Sequence, residues 1–237
     1  MARYKRNFLK QVIARVDFIN AIDEINSTVA HSIQDVAVPS FPIIEPSRTV
    51  TSIGPRPAEK RMWEFFSRDR SRKLRMCESF MLVEHNRYID FDELQVPFNK
   101  ILDQAFLTYD SLSIGRLGLR YVDEIHLDGD PLNWSGYINE NLLSIPDVAE
   151  DTKTIVRAFH NLEMRKTDYS VRFQYGMWNP DYPSPVMRKN FILDTDVSCT
   201  GILARTDVQK LLPMFHDEAV MIFERSIENG LREVMNA

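Results

Sequence analysis

Glycine is scarce. The 237 residues contain 8, where an average composition supplies about twice that number. Loops that cradle phosphate need glycine so that backbone N–H groups can close on the anion. The patterns GxGxxG, GxxxxGK[ST], HExxH and GxSxG are all missing. The nearest glycine cluster, Gly115-Arg-Leu-Gly118, lies inside an alternating strand pattern. No familiar nucleotide or hydrolase motif therefore suggests an activity.

Cysteine is also rare. Cys77 and Cys199 lie far apart and neither belongs to a CxxC. A disulfide scaffold is excluded, and both read as small core residues of a cytoplasmic protein. No run of about 20 apolar residues occurs, so no membrane helix is expected. The basic start, Met1 to Asn7, is not followed by an apolar stretch of leader length, so secretion by a standard signal is not expected either. An excess of positive charge is lacking too. Lys and Arg total 29 against 34 Asp and Glu, giving a net charge of −5 and a pI near 5.6. That balance disfavours nucleic acid and anionic membrane as partners.

What is present is ordinary for a packed globular chain: 44% apolar and 27% charged residues. Phe8 to Ile19 alternates, with Val12, Ala14, Val16 and Phe18 on one face, which predicts a half-buried strand. Ile22, Ile25, Val29 and Ile33 recur at helical spacing, with Asn20 or Asp23 as cap. The proline-rich segment from Pro39 to Pro57 predicts an extended ordered connection, because proline cannot sit in a central strand. Met62–Ser67 and Leu74–Val83 predict a hairpin around Arg68–Lys73. Phe91 to Phe106 follows an i, i+3, i+4, i+7 pattern and predicts a helix, with Pro97 in its first turn or at a kink. Gly115 to His126 predicts a strand with Leu117, Leu119, Tyr121 and Ile125 on one face and Arg116, Arg120 and Glu124 on the other. Three more strands are predicted over Thr154–Met164, Tyr169–Trp178 and Met187–Val197. A helix follows from Val208 to Ile227, with Asp207 as cap and Asn229-Gly230 as stop. The fold class is α+β: a large antiparallel sheet with amphipathic helices packed on one face. One domain spans 1–237, with 1–130 and 150–237 as its two sub-lobes at most. No residue-level repeat supports a divergent duplication.

The stretch Arg116-Leu-Gly-Leu-Arg-Tyr-Val-Asp-Glu-Ile125 resembles a signature of bacterial and archaeal proteins described as "sporadically distributed" and of unknown function. The order of elements is similar as well: an aromatic strand like Met62–Ser67, a strand like Phe191–Asp196, and a terminal helix ending like Ser226–Glu233. The family tends to carry Asn-Arg where this chain has Asp123-Glu124. The resemblance implies an architecture and no activity. Its patchy distribution implies mobile genes of phage defence or toxin–antitoxin type.

Several residue groups are candidates for chemistry. Asp194 and Asp196 flank Thr195 on a predicted strand and share a face. Such a pair can hold Mg²⁺ in enzymes acting on nucleotides or phosphates. The plainer reading pairs them with Arg188 or Lys189. His126, Asp128 and Asp130 could supply metal ligands, but Asp-Gly-Asp-Pro is also tight-turn composition. Arg116, Arg120, Arg172 and Arg188 could converge on an anion, or pair across strands with Glu64, Glu78, Glu124 and Glu163. Trp134, Tyr137, Trp178 and Tyr182 lie in irregular segments, where exposed aromatics mark interfaces. The expectation is a non-catalytic binding subunit of a protein complex. Trp134, Tyr137, Trp178, Tyr182, Arg116 and Arg120 are its candidate binding residues, and no cofactor is expected. The partner is another protein, with self-association as an option. The alternatives are a metal-dependent enzyme on Asp194 and Asp196, or a nucleotide or anion sensor on the strand arginines.

Overall fold

The computed structural model describes residues 4–51, 58–143, 149 and 151–237. Among the described residues, nine strands form one antiparallel sheet, and five α-helices accompany it. The strands are β1 (Leu9–Phe18), β2 (Ile43–Thr51), β3 (Ala58–Phe66), β4 (Arg72–Cys77), β5 (Phe80–His85), β6 (Ile114–Leu127), β7 (Ala158–Arg165), β8 (Ser170–Met177) and β9 (Lys189–Leu203). Their order across the sheet is β2-β3-β4-β5-β1-β6-β9-β8-β7. The helices are α1 (Glu24–Ser27), α2 (His31–Ala37), α3 (Phe91–Thr108), α4 (Arg205–Ser226) and α5 (Asn229–Asn236).

A repeat emerges in the connectivity rather than in the residues. β1 pairs with the last strand of the β3-β4-β5 meander, and α3 follows. β6 pairs with the last strand of β7-β8-β9, and α4 follows. The first set carries an additional edge strand, β2.

The chain divides into two compact units whose boundaries fall inside β1, β6, β9 and α4, not in the 131–149 connection. One unit holds 11–119 and 198–216. There Val12, Ala14 and Val16 on β1 register against His85, Val83 and Met81 on β5. Leu74 and Met76 on β4 and Phe65 on β3 continue this buried face. Helix α3 presents the buried stripe Leu94, Phe98, Ile101, Leu102 and Ala105. Its cap is Asp90, whose carboxylate accepts the Glu93 N–H at 2.9 Å, a capping arrangement that satisfies a free helix-end donor. Pro97 falls in the second turn, and the helix runs on to Thr108.

The other unit holds 1–10, 120–197 and 217–237. Tyr121, Asp123 and Ile125 of β6, Phe191, Leu193 and Val197 of β9, and Val171, Phe173 and Met177 of β8 are buried. Gly176 on β8 has φ +148°, and a Cβ there would lie 2.1 Å from the Ala158 carbonyl. Only glycine lets β7 approach β8 at that point.

Four sequence expectations need correction. The first predicted helix is broken into α1 and α2, because Thr28 is extended (φ −163°, ψ 150°) and β-branched Thr28 and Val29 resist helical χ1. The proline-rich connection contains a real strand, β2. Pro46 is tolerated because β2 lies at the sheet edge. Leu74–Val83 is two strands, turning at Glu78-Ser79. Asn229-Gly230 does not end the helical region; it opens α5, and a break at Ile227-Glu228 separates α5 from α4. Asp207 does cap α4, but from inside the first turn, accepting the Ala204 N–H at 2.8 Å.

Candidate functional site

In the 120–197 unit, the face of the sheet opposite the buried one is polar. Asp194 and Asp196 do share that face, but their partners are not Arg188 or Lys189. Antiparallel pairing of β6 with β9 brings Arg120 to Asp194. Its Nε and Nη2 donate to the two carboxylate oxygens at 2.8 and 2.5 Å. This is the fork geometry that suits a guanidinium to a carboxylate. Asp194 holds Arg120 more firmly in its charged form than usual, against the opposing effect of burial. One strand further, Arg172 on β8 donates to Asp196 at 3.1 Å. Lys10 pairs with Glu124 on the same unit. In the 11–119 unit, Arg15 donates to Asp17 at 2.5 Å, and Arg116 meets Asp17 at 3.5 Å. Gly118 gives Arg116 its room, since a Cβ there would lie 2.8 Å from its Nη1. Arg75 pairs with Glu64 and Lys73 with Glu84. Glu78 instead accepts from Asn26 at 2.6 Å.

These pairings bear on the chemistry. A carboxylate clamped by a guanidinium has fewer oxygen lone pairs free for a metal. Among the described residues, no three His, Cys, Asp or Glu side chains are grouped as metal ligands. His126 bonds Asn190 at 2.7 Å. Asp130 accepts the Leu132 N–H at 3.0 Å, and Gly129 has φ +102°, so this segment is built as a turn. Burial raises the Cys199 thiol above its ordinary range, which opposes nucleophilic use.

Trp134 requires a correction. Its side chain is 1% exposed, so it is no free interface aromatic. It packs on Phe191 with ring centroids 5.2 Å apart, and its Nε1–H donates to the Pro131 carbonyl at 3.0 Å. The surrounding loop is tied down by backbone bonds: Glu228 N–H to Tyr137 O (2.8 Å), Gly230 N–H to Gly136 O (2.9 Å) and Asn139 N–H to Ser226 O (2.9 Å). Lys189, buried at 8% exposure, places Nζ 4.7 Å from the Tyr137 ring and 5.4 Å from Trp134. That explains its absence from the Asp194 pairing. The cavity beside Trp134, bounded by Leu132, Ala158, Met177 and Phe191, is about 30 Å³, room for a water or two rather than a substrate.

Trp178 and Tyr182 are arranged differently. Arg157 lies over both rings, 5.3 and 4.5 Å from their centroids. Trp178 is half-buried, and Tyr182 is 55% exposed. Buried Asn179 pins the connection between β8 and β9. Its Nδ2 donates to Val156 O at 3.0 Å and Ser184 O at 2.6 Å, and its Oδ1 accepts the Asp181 N–H at 3.0 Å. The same connection carries Met187, 74% exposed.

Sequence reasoning missed two buried ionisable groups. Asp123 is 5% exposed on the packed face of β6, and burial pushes its carboxyl up to about 8. His85 is fully buried, neither ring nitrogen has a hydrogen-bond partner, and burial lowers it to about 4. The signal for Asp123 was in the sequence: it occupies the odd positions that Leu117, Leu119, Tyr121 and Ile125 mark as core. No protein-family model matches the chain, and no curated protein matches it.

Proposed function

We propose that this protein is a non-catalytic binding subunit of a protein complex, and that its contact surface centres on Arg157, Trp178 and Tyr182. The supporting observation is an exposed aromatic on a fixed support. Tyr182 offers large apolar area at small entropic cost, Arg157 stacks on it, and Asn179 holds the loop in place. Preorganised aromatic and arginine residues are what binding hot spots use. The metal-enzyme and anion-sensor alternatives draw on Asp194, Asp196, Arg120 and Arg116, which are engaged with one another or with Asp17. A phage-defence or toxin–antitoxin setting accords with a protein that works inside an assembly.

The test is recovery of the native complex from the host with wild type and two variants. Arg157→Ala with Tyr182→Ser should lose the partner at unchanged melting temperature. Asp194→Asn with Asp196→Asn should keep it. If instead the Asp variant folds but loses its cellular phenotype, and wild type alone takes up Mn²⁺ by calorimetry, the enzyme reading replaces this one.

A further inference from the structure

The sheet has two edges, and they are finished differently. At one, β2 carries Pro46 in its middle. Proline has no N–H to donate and blocks strand addition. At the other, β7 runs for eight residues, AFHNLEMR, with no proline. Phe159 (39%) and Leu162 (45%) are exposed on it, as are Asn161, Glu163 and Arg165. The Thr167-Asp168 turn fixes which backbone groups face outward. Lys166 N–H donates to Tyr169 O at 2.8 Å. The register from Arg165↔Ser170 to Ala158↔Met177 is unbroken. Bonded pairs alternate in an antiparallel ladder, so Ala158, His160, Leu162 and Met164 bond inward to β8. Phe159, Asn161, Glu163 and Arg165 then point their N–H and C=O groups away from the sheet.

We propose that β7 pairs antiparallel with β7 of a second copy of this chain, centred on Leu162. This inference is independent of the binding reading above. Outward groups sit at odd positions only, which limits the symmetric registers to a few. Centring on Asn161 would set Arg157 against Arg165, and centring on Glu163 would set it against itself; like charges directly opposite are unfavourable. Centring on Met164 leaves little of the strand paired, and centring on His160 sets Glu163, Met164 and Arg165 opposite residues outside the strand. Centring on Leu162 pairs the whole of 159–165. Asn161 then faces Glu163 as an amide-to-carboxylate contact, and Arg165 faces the Phe159 ring, a cation–π pair. On the other face Leu162 meets Leu162 of the second copy, and His160 meets Met164. Both exposed apolar side chains of the strand gain a partner, and no like charges stand directly opposite.

The register makes a sharp demand. Leu162 faces its own copy at a non-bonded pair, where Cα atoms approach to about 4.5 Å, within disulfide range. Leu162→Cys should therefore give a covalent dimer under mild oxidation. Met187→Cys, more exposed but off the strand, should not. The native Cys77 and Cys199 are buried and should not contribute. By light scattering at high micromolar concentration, wild type should be a dimer. Leu162→Lys, which opposes two ammonium groups across the symmetry axis, should be a monomer with unchanged circular dichroism. A monomeric wild type, a Leu162→Lys protein that stays dimeric, or equal cross-linking of both cysteine variants would each overturn the proposal.

Discussion

Along β6 the two faces of the sheet can be compared residue by residue. Leu117, Leu119, Tyr121, Asp123 and Ile125 are buried, while Arg116, Arg120, Val122 and Glu124 keep partial access to water. On the packed face, side chains find partners by shape, and a polar group has little to replace water with. On the open face, charge meets charge across strands, and water remains available to whichever partner is left alone. Removal of a residue should therefore cost far more on the packed face, and Asp123 and His85, both buried, should govern how stability varies with pH.

The largest effect is expected at Trp134, which joins the packed face by lying on Phe191. Trp134→Ala should destabilise by about 3–5 kcal/mol, through lost burial and the cavity left behind. Chemical denaturation would measure it, and a loss below about 1 kcal/mol would place Trp134 with the surface residues. Next comes Asp123. The unfolded chain releases this proton near 3.8, whereas the folded protein keeps it to about 8. Its contribution is full below 3.8 and is lost as pH rises through 8. Asp123→Asn should thus stabilise by about 4 kcal/mol at pH 7, and by little near pH 4.

His85 should act with the opposite sign. Folding lowers its pKa from 6.5 to about 4, so its contribution is present above 6.5 and lost as pH falls to 4. His85→Leu should recover about 3 kcal/mol at pH 4, relative to its own difference from wild type at pH 7. Between pH 4 and 6.5 the two groups oppose each other. Stability differences from wild type should therefore tilt upward with pH in Asp123→Asn and downward in His85→Leu, each by about 1.4 kcal/mol per unit. Denaturant titrations across that window would show it. Parallel curves for all three proteins would mean that neither group is buried in solution.

Much of this contrast was legible in the chain. The period of two in β1 and β6 and the period near 3.6 in α3 and α4 located the main elements, because burial on one face writes a periodic pattern. Departures came where a local signal had more than one solution. Pro46 excludes a central strand but allows an edge. Glu78-Ser79 turns tightly without glycine, proline or asparagine. Gly230 fits the opening of α5, where a Cβ would lie 2.7 Å from the Gly136 carbonyl. At the candidate site, the shared face of Asp194 and Asp196 followed from alternation alone. Their partners did not, since Arg120 is 74 residues from Asp194 and strand order is a property of the whole sheet. Trp134 misled for a related reason: an irregular segment is not a surface segment when backbone bonds anchor it at both Gly136 and Asn139.

The smallest expected effects lie on the open face and compare its ion pairs with each other. The Asp194 side chain is 8% exposed and takes two bonds from Arg120; the Asp196 side chain is 16% exposed, its partner Arg172 is 45% exposed, and one bond joins them. Screening should reduce the second pair to a coupling of about 0.2–1 kcal/mol. The first should be larger, about 1–3 kcal/mol, because its bidentate geometry is fixed and truncating Arg120 strands a nearly buried carboxylate. Double-mutant cycles with alanine at each pair give both couplings directly. High salt should then erase the Arg172–Asp196 coupling and leave most of the Arg120–Asp194 coupling, since exposed charges are screened and buried ones much less. Equal couplings with equal salt dependence would show that the open face does not grade from water-exposed at β8 to protected at β6, and the contrast between the two faces would then rest on the packed residues alone.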